Sequence, residues 1–138
     1  MKEILRNVLA LLGAALVAMV LIACIQAIGG NLYPPPPGMD FNDKAAVARF
    51  AATLPVPAFL IILASYLVGV TVGAWLACRI SVTEKRRQGV MIGALFVVAS
   101  IMNLTSLPHP AWFWVANLAI VPFAAWLGLR FAGVLRAG

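Results

Sequence analysis

A chain of 138 residues that is 64% hydrophobic and only 10% charged lies far outside the range of soluble domains, which are about 45–50% apolar and about 25% charged. That excludes a water-soluble globule and predicts an all-α integral membrane protein. The formal net charge of +6 belongs to residues flanking membrane spans, where anionic headgroups attract them, so no nucleic-acid partner is expected.

Four stretches free of charged residues, 8–28, 58–78, 90–107 and 111–129, are long enough to cross roughly 30 Å of hydrocarbon at about 1.5 Å per residue. They predict one four-span membrane domain over 1–138, with a single long outer loop at 29–57. Lys2, Arg6, Arg79, Lys85, Arg86, Arg87, Arg130 and Arg136 fall on one side of these spans, and Lys44 and Arg49 on the other. By the positive-inside rule both termini are cytoplasmic, the loop is periplasmic and the membrane is a bacterial inner membrane. Trp75 and Trp126 near one face, and Trp112 and Trp114 near the other, form the expected interfacial aromatic belts.

The first span contains Leu21-Ile22-Ala23-Cys24, which also fits a lipobox and would leave Cys24 as a lipidated terminus. Its apolar run exceeds the usual 7 to 15 residues of a signal core, so an uncleaved span is the better expectation. Gly29 and Gly30 are expected to end that helix. Tyr33 and Pro34 to Pro37 then predict a stiff polyproline strut of about 12 Å at about 3.1 Å per residue. Asp40 or Asn42 is the predicted cap of a short amphipathic helix with Val47, Phe50, Ala51 and Leu54 on one face.

Span two carries Ser65, Gly69, Gly73 and Ala77 at every fourth position, a ridge that lets helix backbones approach closely. Gly89 and Gly93 repeat the spacing in span three, and Ala124, Gly128 and Ala132 in span four. Spans two and four share an LPxPA opening at Leu54 and Leu107 and an Ala-Trp-Leu close at Ala74 and Ala125. The shared motifs predict two pseudo-repeated hairpins about an axis along the membrane normal.

No Asp, Glu, Lys or Arg falls inside a span, which argues against a proton-driven pump or a voltage sensor. Small multidrug transporters have a similar length and span count, but their membrane-embedded carboxylate has no counterpart here. One histidine and two cysteines offer no haem, metal or redox motif, so neither a metal nor another cofactor is expected. No nucleophile elbow surrounds any serine that His109 and Asp40 or Asp43 might activate, and an enzyme is not expected.

The uncharged polar residues concentrate in the outer half of the spans. Tyr33, Asp40, Asp43, Tyr66, Asn103, His109 and Asn117 are the candidate lining of an outward-facing pocket. In it the strut packs over Pro108-His109-Pro110, an aspartate approaches His109, and Asn103 pairs with Asn117 as the floor. The plainer alternative is that these groups glue helices together at about 0.6 kcal/mol apiece. Two functions fit: a non-enzymatic accessory or scaffold protein that holds a membrane-protein partner or copies of itself, or a small-solute or lipid pathway on the pseudo-twofold axis.

Overall fold

The structure, a computed structural model, describes residues 1–135; Arg136, assigned above to the cytoplasmic face, lies outside the described residues. Five helices follow in order: α1 (Lys2–Leu32), α2 (Lys44–Thr53), α3 (Val56–Ile80), α4 (Lys85–Ser106) and α5 (Ala111–Phe131). No strand occurs among the described residues. Of these helices α1, α3, α4 and α5 are long and apolar enough to cross a membrane, the architecture of a multi-pass membrane protein.

Each long helix outruns the charge-free stretch that announces it. Hydropathy marks where hydrocarbon begins, whereas the backbone stays hydrogen-bonded into the headgroup region, where charged side chains are tolerated. So α1 begins at Lys2 and α4 at Lys85. Nor does α1 stop at Gly29 and Gly30: glycine lowers helix propensity by only about 1 kcal/mol, too little to end a helix whose turns on either side stay hydrogen-bonded. The helix closes at Tyr33, whose N–H donates to the carbonyl of Gly29 at 2.9 Å.

The bundle is built around α3, which packs against α1, α4 and α5; α4 also packs on α5 and only lightly on α1. Small side chains set these crossings. A methyl group placed on Gly128 would lie 2.5 Å from the carbonyl oxygen of Thr71 and 2.7 Å from the Cβ of Ala74, so α5 rests on the backbone of α3. On the other flank, a methyl on Gly73 would meet the Cβ of Ala18 at 2.9 Å, and one on Gly69 the side chain of Ile22 at 2.5 Å. Methyls on Gly89 and Gly93 would meet Cys78 Sγ at 2.6 Å and the Cβ of Ala125 at 2.7 Å. Ala14, Ala18, Val70, Ala74, Ile92, Val121 and Ala124 fill the centre and are fully buried. An exact twofold would make α1 meet α5 as α4 meets α3, yet α1 and α5 do not touch among the described residues.

The end holding Arg79, Lys85, Arg86, Arg87 and Arg130, the basic end, is tied by a residue the sequence did not flag. Asn7 of α1 is buried and grips the α3–α4 turn twice: its Nδ2 donates to Thr83 Oγ1 at 2.8 Å, and its Oδ1 accepts from the N–H of Val82 at 3.0 Å. Glu84 then turns the chain in the left-handed region (φ 49°), and its carboxylate accepts from Arg87 at 2.6 Å.

Candidate functional site

The opposite end, the loop end, carries the candidate site. Asp43 caps α2 by accepting from the N–H of Ala45 at 3.0 Å, in place of the predicted Asp40 or Asn42. Asp40 instead accepts from the N–H of Asn42 at 2.9 Å, bending the chain into the cap. The proline segment is also shorter than expected. Met39 N–H donates to the carbonyl of Pro36 at 3.2 Å, and Gly38 has φ 76°, so Pro37-Gly38 forms the centre of a tight turn of the kind that places proline before a positive-φ glycine.

No residue of α2 is buried; the helix lies across the loop end with three faces on three clefts. Phe50 faces a groove of 420 Å³ shared with Tyr33 and Pro35, the end of α1 and the start of α3. Ala48, Ala51 and Ala52 line a cleft of 260 Å³ with Pro108, His109 and Pro110. Arg49 and Thr53 face the Pro36–Met39 turn across a cleft of 350 Å³. The loop therefore approaches the α4–α5 turn through the alanine face of α2, while the prolines lie over α1 and α3.

The candidate residues separate into distinct groups. Tyr33 lines the groove. His109 Nδ1 lies 2.8 Å from the carbonyl of Leu107, and its ring stacks on Phe113 with centroids 4.9 Å apart and planes 10° apart. Among the described residues the sole ion pair is Glu84 with Arg87, so neither Asp40 nor Asp43 pairs with His109. Phe113 is fully buried and also meets Phe59 of α3 at 5.5 Å, which fastens α5 to α3 at this end.

The buried polar groups bridge helices differently from the expected Asn103–Asn117 pair. Asn103 Nδ2 donates to the hydroxyl of Tyr66 on α3 at 3.3 Å. On the adjacent residue of α3, Gln26 Nε2 of α1 donates to Ser65 Oγ at 3.0 Å, and Ser65 donates to the carbonyl of Ile62 at 2.6 Å. Thus Ser65, expected as a packing residue, also joins α1 to α3. The register of the α4–α5 hairpin explains why Asn103 misses Asn117. Gly93 faces Ala125 and Gly89 faces Leu129; carried toward the turn, the same register sets Asn117 level with Ile101, and Asn103 lies past it.

Ser100 and Asn117 are 0% and 1% exposed, and Ser100 Oγ and both amide atoms of Asn117 lack hydrogen-bond partners. Pro122 has no N–H to offer the carbonyl of Leu118 next to Asn117, which adds another polar group at the same depth. Ser100 was not singled out in the sequence because a lone serine in an apolar helix carries no signal; its complete burial without a partner sets it apart.

Cys24 is an exposed thiol within α1, and Cys78 is buried and free. No three His, Cys, Asp or Glu side chains come together among the described residues. No protein-family model, curated protein or solved structure matches this chain.

Proposed function

We propose that this is a non-enzymatic protein of the bacterial inner membrane, an accessory or scaffold subunit that presents its loop end to another membrane protein or to further copies of itself. In this reading the basic end faces the cytoplasm and the cap of α2 faces the periplasm. The observation that carries it is the form of the loop end, where α2 has no buried residue. The residues where the helices meet are buried, and the clefts described above surround α2 at the loop end. A filled centre suits a scaffold, and a cap with exposed clefts suits recognition.

The second reading, a solute or lipid pathway, has one observation in its favour: the unpaired hydroxyl of Ser100 and amide of Asn117 inside the bundle, since neutral dipoles can select a solute. The LPxPA and Ala-Trp-Leu motifs supply its pseudo-twofold axis, with α1 having drifted from the symmetric position. Mass spectrometry of the protein released from native lipid discs separates the two readings. A stoichiometric foreign partner, or a fixed multiple of this chain without solute flux in vesicles, supports the scaffold. Flux that disappears with Asn117→Leu overturns it in favour of the pathway.

A further inference from the structure

We propose that the groove beside α2 is a binding site for one anionic phospholipid of the surrounding bilayer, with an acyl chain in the groove and the headgroup phosphate on Arg49. This goes beyond the scaffold reading and holds for either orientation of the chain, because both leaflets supply phospholipid. The groove of 420 Å³ is lined by Gln26, Tyr33, Pro35, Phe50, Leu54 and Ile61, among others. Gln26 already donates to Ser65, so the lining offers an incoming molecule mainly apolar surface. The far side of Phe50 is different: there the cleft of 350 Å³ is bordered by Arg49 and Thr53. Phe50 is therefore a wall common to an apolar groove and a cationic one.

Charge complementarity selects the occupant. Arg49 is exposed and has no carboxylate within 4.0 Å among the described residues. The two carboxylates of the loop, Asp40 and Asp43, are engaged by the backbone N–H groups of Asn42 and Ala45 instead. A neutral apolar molecule would leave the guanidinium unused, and a free anion would leave the groove unused. A phosphate joined to an acyl chain satisfies both, with a bidentate match to guanidinium geometry. The start of α3 at Val56 sets the groove at the edge of a membrane-spanning helix, where such chains are at hand.

The test is native mass spectrometry of the full chain, delipidated in detergent and offered equal amounts of phosphatidylglycerol and phosphatidylcholine. One phosphatidylglycerol should be retained, preferred by about fivefold, the scale of one basic side chain at an anionic headgroup. Arg49→Gln should abolish that preference. Lys44→Gln, which lies off both clefts, should leave it intact. Gly30 lines the groove with nothing within 4 Å of its Cβ position, so Gly30→Phe should fill the space and lower retention of both lipids. Phosphatidylglycerol carrying a photoreactive acyl chain should label Phe50, Leu54 or Ile61 in the unmodified protein, a readout that needs no variant to fold. Three results would each overturn the proposal: equal retention of the two lipids, a preference that survives Arg49→Gln but falls when Lys85, Arg86 and Arg87 are neutralised, or labels spread along the exposed face of α1.

Discussion

The two ends of the bundle are held by different means. At the basic end, Asn7 makes two hydrogen bonds to the α3–α4 turn, and glycines bring α3, α4 and α5 to within a methyl group of one another. At the loop end α1 is tied to α3 by the hydrogen bond from Gln26 to Ser65, and α2 is laid across with no buried residue and clefts on three faces. α3 and α5 are joined there through Phe59 and Phe113, with Leu104 of α4 buried in the same cluster. The chain thus ties its basic end with hydrogen bonds and close helix crossings and lays an unburied helix over its loop end, a distribution that suits the proposed recognition surface on a rigid support.

The comparison can be broken by substitution, starting with the close crossing. Gly128→Ala should be the most damaging single change, by about 2–3 kcal/mol, because its methyl meets backbone and no flexible side chain yields. Reversible unfolding in mixed micelles measures it; a loss near zero would mean that α3 and α5 cross at a greater distance. Asn7→Ala should follow at about 1–2 kcal/mol, since it leaves the N–H of Val82 without its acceptor. Hydrogen exchange at Val82 should rise with it.

Gln26→Ala at the loop end should cost less, about 0.6 kcal/mol. If it matched Asn7→Ala, the contrast between the ends would disappear. The smallest effect should come from replacing 34–53 with a Gly/Ser segment of equal length. Since α2 contributes no buried residue, bundle stability should change by less than about 1 kcal/mol. Helix content should fall only by the share that α2 supplies.

The four spanning helices were legible because a bilayer allows few ways to bury a charge-free stretch. Their ends were not, because propensity and hydropathy say little about a helix passing from hydrocarbon into headgroups; Gly29 and Gly30 were read as a stop for that reason. The small residues at Gly69, Gly73, Gly89, Gly93 and Gly128 stood out by spacing, and each lies where another helix approaches closely. Polar partnerships were much harder to read. Asn103 and Asn117 share a depth on paper, but pairing depends on helix rotation, and rotation turned Asn103 toward Tyr66. Asn7 had no visible partner, since its turn lies more than seventy residues further along the chain. The cap of α2 was ambiguous because Asp40, Asn42 and Asp43 crowd one turn and any of them is a competent N-cap.

The central place of α3 has a consequence for how the molecule comes together. During synthesis α1 and α3 are complete before α4 emerges, and their contact is the most extensive in the bundle, with Ile92 of α4 reaching only its edge at Gly73. The first two spans can therefore settle as an inserted hairpin, whose exposed ridge then receives α4 and α5 side by side. The chain is a hairpin followed by two additions, and its natural break lies at Glu84, just beyond the Val82–Thr83 turn that Asn7 holds. Cut there and supplied as separate polypeptides, the first piece should insert and hold its shape alone, while the second should need the first as its mould.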